Sequence, residues 1–228
     1  MQPLFTPPAP ILLPIADENT GFPVRRVYCV GRNYADHARE MGHEPNRDPP
    51  FFFQKNPDNL LTGGRPFPYP AHSAEVHHEV EFVAVLSKGG SDIAPDEALS
   101  HVYGYAVGID FTRRDLQAAA KAAGKPWTAA KAFEHSAPIS AIMPAARIGH
   151  PEKARIWLDV NGTRRQAADI ADMTWGMADI IAHASRLFTL APGDVIFTGT
   201  PAGVGPVTRG DTITCGIDGI GILFVTVA

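Results

Sequence analysis

At 228 residues the chain can bury one sizeable core, and 45% hydrophobic against 19% charged residues is ordinary for a globular protein. A formal net charge of −4 argues against nucleic acid or an acidic membrane surface as the main partner. No apolar run is long enough to span a bilayer, and the first residues lack a basic, apolar leader. Cys29 and Cys215 sit in apolar, strand-like contexts, which fits buried thiols in a reducing compartment, so a cytoplasmic location is expected.

In chain order, residues 1–23 are proline-rich (Pro3, Pro7, Pro8, Pro10, Pro14, Pro23) and are expected to lack regular structure, as a lead to a domain over 24–228. Arg26 to Val30 reads as a short strand ending at Gly31. A short helix follows, with Asn33 as its N-cap and Gly42 as its stop. The polar stretch from Gly42 to Pro50 leads to a strand from Phe51 to Lys55. A largely apolar, buried strand covers Val76 to Leu86, then come a Gly89-Gly90 turn and a short helix from Pro95 to His101.

A further strand reaches Asp110, and an alanine-rich helix runs from Arg113 to Ala123, stopped by Gly124. Lys125 to Ser140 reads as loop and short strand. Asn161-Gly162 after the strand Arg155 to Val160 is the strongest hairpin signal in the chain. Asp172 is the expected cap of a helix reaching Phe188, with Met173, Met177, Ile180, Ile181, Ala184 and Leu187 on its apolar face. A strand at Val195 to Phe197, a loop from Thr198 to Gly205 and two last strands complete the chain. Short strands outnumber helices without βα alternation, so the expected class is α+β, mostly β.

The sharpest chemical signal lies in the buried strand. Glu79 and Glu81 are spaced two apart, so along a strand both carboxylates face one way. Two like charges on a buried face need neutralising, and a divalent cation with oxygen ligands does so simply. Asp110 offers a third carboxylate and shares its face with Gly104, Ala106 and Gly108, which leave room for a close neighbour. The competing reading places the pair on a solvated edge, with Asp110 opening a turn.

Two other groupings bear on chemistry. His37 and Glu40 are three apart on a helix, so the carboxylate can orient the imidazole as a general base; an exposed helix pair is the alternative. Arg114 and Gln117 share a helix face just after Asp110, and with Lys131 they offer donors to a carboxylate or developing oxyanion; a solvated face is the alternative. The Thr198–Gly205 loop lacks the ending of a nucleotide-binding loop, and its glycines suit a tight turn that brings backbone and the Thr200 hydroxyl to a small ligand. No zinc-type Cys/His spacing and no nucleophile elbow occurs.

These stretches together resemble the fumarylacetoacetate hydrolase family. The matching segments are Tyr28-Cys29-Val30-Gly31-Arg32-Asn33-Tyr34-Ala35-Asp36-His37, His77-His78-Glu79-Val80-Glu81, Gly104 through Asp110, Trp127-Thr128-Ala129-Ala130-Lys131, and Thr198 through Gly205, in family order. The resemblance implies a β-rich fold, usually homodimeric, with Mg²⁺ or Mn²⁺ held by Glu79, Glu81 and Asp110. It implies a catalytic dyad of His37 and Glu40 on a lid helix, Lys131 as a further catalytic group, and substrate contacts from Arg114, Gln117 and Thr200. Ala132 and Glu134 depart from the Ser and Asp of many members.

The chemistry implied is cleavage of a carbon–carbon bond in a small-molecule 3-acylpyruvate. The proline-rich lead and the Pro49 to Lys55 stretch are most similar to the branch that hydrolyses fumarylpyruvate to fumarate and pyruvate in gentisate breakdown. Other acylpyruvate hydrolysis, oxaloacetate decarboxylation and an isomerase–decarboxylase of aromatic catabolism are the alternatives within the family. A non-catalytic, metal-dependent binding module is the alternative outside it.

Overall fold

The computed structural model describes residues 2–42 and 48–228. Its centre is a six-stranded sheet in the order Met143–Pro144, Val102–Ile109, Val80–Leu86, Asp194–Phe197, Arg26–Gly31 and Phe51–Lys55. Neighbours are antiparallel except Asp194–Phe197 and Arg26–Gly31, which run parallel. The middle strand Val80–Leu86 is buried at every position, as its nearly unbroken apolar run requires.

Each face of this sheet carries its own core. On one, Phe82, Val107 and Ile109 pack with Ile156, Leu158, Ile213, Cys215 and the helix Met177–Leu187. The strands among these belong to a four-stranded antiparallel sheet in the order Thr163–Asp169, Arg155–Val160, Thr212–Ile217, Gly221–Thr226. Its first hairpin turns at Asn161 and Gly162, both in the left-handed region at φ 51° and 75°, as the Asn-Gly pair predicts. On the other face, Val83, Val85, Ala106, Cys29 and Phe197 pack with Leu13, Ile15 and Phe22.

That last contact corrects one expectation. The proline-rich segment is not irregular throughout, because Leu12–Pro14 and Gly21–Pro23 form a two-stranded antiparallel pair that buries Leu13 and Phe22. Prolines are tolerated there because the pair is isolated and short.

Two expected helix caps also fail. Asn33 precedes the helix Ala35–Glu40, but Tyr34 holds the cap position while the Asn33 amide bridges to Trp175 and Thr198. Asp172 closes a 3₁₀ turn, and the long helix begins only after Gly176. The expected loop after Lys125 contains a helical turn, Thr128–Lys131. The polar stretch after Gly42 falls largely outside the described residues. Among the described residues no helix is long and apolar enough to cross a membrane.

Candidate active site

The site forms where the central strand begins. Glu79 lies in the one-residue break between strands Val76–His78 and Val80–Leu86. Asp110 directly follows Val102–Ile109, and its N–H donates to the Glu79 carbonyl at 2.8 Å, extending the ladder one step beyond the paired strands. That register brings the three carboxylates together. One ligand oxygen each from Glu79, Glu81 and Asp110 lies within 4.8 Å of the others, and all three side chains are buried. The solvated-edge alternative is thereby removed.

The small residues beside Asp110 make room for protein and not for a ligand. A side chain at Gly108 would strike Phe197 and Val83, and one at Gly104 would strike Ile142 and the backbone at Met143. Their role is close packing beneath the site.

Three cations answer the carboxylates. Lys131 Nζ donates to Glu79 Oε2 at 2.8 Å, Asp110 Oδ2 at 2.6 Å and Thr112 Oγ1 at 2.6 Å, which commits all three of its protons. Arg114 Nη2 reaches Glu79 Oε1 at 2.5 Å, and its Nη1 donates to Gln117 Oε1 at 2.5 Å. Lys55 Nζ lies 2.8 Å from Asp110 Oδ1, and also bonds Ser136 Oγ at 2.8 Å and the Lys131 carbonyl.

The charges are unevenly matched within this balance. Burial raises the Glu79 carboxyl, but Lys131 and Arg114 overcome it and hold Glu79 well below the usual range. Burial lowers Lys131, yet Asp110 and Glu79 carry it above the ordinary lysine value. Glu81 stands apart. Burial, then Asp110 and Glu79, push it well above the usual carboxyl value, and a single backbone donor, Gly199 N at 2.7 Å, is its hydrogen-bond partner.

The cluster fits a hard divalent cation. Among the described residues Glu81 is a buried carboxylate without a salt bridge, and Asp110 Oδ1 is buried without a directed hydrogen bond. Each carboxylate also keeps lone pairs beyond those its donors use. All-oxygen donors suit Mg²⁺ or Mn²⁺ over softer metals.

His37 and Glu40 sit opposite, on the helix Ala35–Glu40. His37 Nδ1 pairs with Glu40 Oε2 at 3.0 Å, and Glu40 Oε1 accepts from Gly203 N at 3.0 Å. His37 is buried and lines the cleft, while Glu40 stands behind it. The Thr198–Gly205 loop therefore serves both halves of the site, spending one backbone N–H on Glu81 and another on Glu40. Gly203, at φ 94°, permits this because any side chain there would strike the Arg165 carbonyl.

The cleft encloses about 390 Å³ including its open mouth. His37, Glu79, Glu81, Asp110, Arg114, Gln117, Lys131 and Thr200 all line it, so eight of the nine expected site residues face one space, and the ninth, Glu40, supports His37 from behind. Glu134 is exposed on the surface. Gln117 offers its amide N–H groups to the cleft, since its oxygen is held by Arg114.

Three residues that hold this geometry were not anticipated in these roles. In the sequence Lys55 marks a strand end and closes the Pro49 to Lys55 stretch of the resemblance, Asn33 is the expected cap, and Gln166 draws no expectation. Gln166 is fully buried, accepts from Val80 N at 3.1 Å and donates to Thr200 Oγ1 and the Pro201 carbonyl at 2.8 Å each. A glutamine inside a hairpin strand was the available signal, since a polar amide there needs partners.

Residues 26–228 match the family model described as fumarylacetoacetate (FAA) hydrolase, C-terminal. The chain belongs to the fumarylacetoacetate hydrolase family. Among solved structures of this family, fumarylpyruvate hydrolase from Pseudomonas aeruginosa, in complex with Mn²⁺ and pyruvate, superposes with a TM-score of 0.97. It is 49% identical, and the match covers 100% of this chain and 99% of that one. Oxaloacetate tautomerase of Escherichia coli K12 is 41% identical over 87% of this chain and 90% of its own length. A mitochondrial oxaloacetate decarboxylase of Dictyostelium discoideum is 40% identical over 86% of this chain and 90% of its own. As a fumarylacetoacetate hydrolase family enzyme, the chain has its carboxylate cluster, His37 and its cationic wall in one cleft, with Glu40 behind His37.

Proposed function

We propose that this enzyme hydrolyses the carbon–carbon bond of 3-acylpyruvates in a divalent-metal-dependent reaction, and that fumarylpyruvate is its substrate, giving fumarate and pyruvate. The observation that carries this reading is that His37, backed by Glu40, lines one cleft with the three carboxylates. A bound Mg²⁺ or Mn²⁺ supplies Lewis-acid polarisation of the 2-oxo acid end of the substrate.

The chain's own groups do the rest. With Nδ1 held by Glu40, His37 presents Nε2 to the cleft as a base for water. Glu40, fixed by Gly203 N, stabilises the imidazolium that forms. The water oxygen bonds to the distal acyl carbon, and the Gln117 amide and Arg114 guanidinium are aimed to stabilise the oxyanion. Collapse breaks the bond between that carbon and C3, C3 keeps the electron pair, and the proton held by His37 is returned to C3. One water is consumed, and one acid and pyruvate leave.

Lys131 was expected to be able to stabilise the oxyanion itself. With its protons committed to Glu79, Asp110 and Thr112, we assign it to holding the carboxylates and leave the oxyanion to Gln117 and Arg114. Three carboxylates against Lys131, Arg114 and Lys55 sum to zero (−3 + 3), so a divalent cation leaves the cluster at +2, matched to an anionic substrate. The homodimer expected of the family belongs to this reading; Ile222 and Phe224, exposed on strand Gly221–Thr226, offer an apolar face for it.

The second reading is oxaloacetate tautomerisation or decarboxylation, favoured by the relatives named above. The same His37 can move a proton at C3 without any attack by water. Fumarylpyruvate, acetylpyruvate and oxaloacetate offered in parallel, after chelation and with each metal restored, decide between them. We expect the highest kcat/KM for fumarylpyruvate hydrolysis; turnover of oxaloacetate alone overturns the proposal.

A further inference from the structure

At the mouth of the cleft the charge is one-sided. Arg32 lines the opening and stands at φ 58°, a left-handed conformation that residues bearing a side chain rarely adopt. Its neighbour holds it there. The Asn33 carbonyl accepts from Thr174 N at 2.7 Å, and the Asn33 amide donates to the carbonyls of Trp175 and Thr198 at 2.9 Å each. A strained residue kept this way is a candidate for function.

The Arg32 guanidinium carbon lies 5.6 Å from the centre of the Phe51 ring. Phe51 meets Trp127 edge to face at 5.6 Å, and both rings line the cleft. Lys121 Nζ lies 5.3 Å from the centre of the Trp127 ring. Two cations thus stand on two adjoining aromatic walls. Among the described residues, neither side chain makes a salt bridge or a hydrogen bond. Partial burial, then the charges of Arg32 and Arg114, lower the Lys121 ammonium from its ordinary value, which places these cations in one another's field.

We propose that Arg32 and Lys121 form an anion subsite that takes a carboxylate at the far end of the acyl chain. It rests on the acylpyruvate reading above and names the substrate class: acyl tails that end in a carboxylate, with a flat unsaturated tail suited to packing along the aromatic wall that Phe51 and Trp127 form together. Arginine offers the carboxylate a planar fork and lysine a point charge. An uncharged acyl tail leaves both cations unanswered.

The test compares wild type, Arg32→Gln, Arg32→Lys and Lys121→Gln on fumarylpyruvate and acetylpyruvate. The ratio of kcat/KM between the two substrates should fall roughly 10- to 100-fold in Arg32→Gln, carried by KM, and be largely restored in Arg32→Lys. An equal fall for both substrates overturns the subsite. Equilibrium binding of fumarate and of its monomethyl ester to the Mn²⁺-loaded protein gives a second readout that needs no turnover. Wild type should prefer fumarate, and Arg32→Gln should lose that preference; equal binding by wild type overturns the subsite. A wild type that prefers fumarate but fails to hydrolyse fumarylpyruvate keeps the subsite and overturns the reaction instead. Should Arg32→Gln fold poorly, Arg32→Asn suits the left-handed backbone and Lys121→Gln leaves it untouched.

Discussion

Gln166 Nε2 donates to Thr200 Oγ1 at 2.8 Å, across 34 residues of sequence. Its other end accepts from Val80 N at 3.1 Å, and a backbone N–H can only donate, so the amide orientation is fixed. Thr200 therefore receives a proton from Gln166, and its own proton is free for the cleft it lines. Gln166→Glu keeps the shape and the Val80 contact but turns the donor into an acceptor, which draws the Thr200 proton away from substrate. We expect KM to rise about tenfold with a smaller change in kcat. Steady-state kinetics beside Thr200→Val check this: if the two variants do not resemble each other, hydroxyl polarity is not what Gln166 sets.

His37 and Glu40 are predicted to matter for turnover and not for metal binding. His37→Ala should lower hydrolysis roughly 100- to 10,000-fold. Glu40→Gln should lower it less, because the imidazole keeps a partner. Calorimetric titration with Mn²⁺ should show unchanged affinity in both, since neither side chain is among the clustered carboxylates. Decarboxylation of oxaloacetate should suffer less than hydrolysis in His37→Ala.

Asp110→Ala should abolish metal-dependent activity, and chelation of the wild type should do the same reversibly. A cation that binds only the folded chain also stabilises it, by about 2.7 kcal/mol at a hundredfold excess over Kd. The melting temperature should therefore climb with Mn²⁺ concentration in wild type and stay flat in Asp110→Ala. Full turnover in metal-free wild type would contradict the whole assignment of the cluster.

Lys55 is predicted to be structural as well as electrostatic. Its ammonium is buried against Asp110 Oδ1, Ser136 and the Lys131 carbonyl, so Lys55→Met leaves a buried carboxylate short of a cation. Breaking a buried pair from one side typically costs about 3–5 kcal/mol. Urea unfolding should show that loss in the metal-free protein, and Mn²⁺ should recover part of it. A variant as stable as wild type would mean that Lys131 alone balances Asp110.

Both thiols should be silent in the folded chain. Burial raises Cys215, and burial followed by the charges of Asp110 and Glu81 raises Cys29. A thiol raised above its unfolded value of 9.0 contributes stability that is complete below that value. The contribution is lost as pH climbs through the folded value, so alkaline pH weakens the fold. At pH 8 a thiol reagent should label neither cysteine until denaturant is added, which absorbance of the released chromophore reports.

Much of the architecture was legible in residue order. Alternation and apolar runs gave the strands, and Asn161-Gly162 gave a hairpin whose φ values require those residues. The spacing of Glu79 and Glu81, with Asp110 beyond, pointed to a carboxylate cluster that the register then closed. These features are local: a two-residue period, a left-handed turn and a run of side chains each depend on a few neighbours.

What only the tertiary structure decided is which charges meet. Lys55 finds Asp110 and Ser136, Gln166 finds Val80 and Thr200, and Asn33 finds Trp175 and Thr198, all across long stretches of chain. In residue order Lys55 looks like a strand end and Asn33 like a helix cap, while nothing local marks the partners of Gln166. The proline-rich lead likewise became a strand pair only because Leu13 and Phe22 had a core to enter. The sequence by itself determined that three carboxylates and a histidine–glutamate pair exist at the right spacings. Packing decided that they share one cleft, because burial leaves a polar group no partner except the one the fold brings to it.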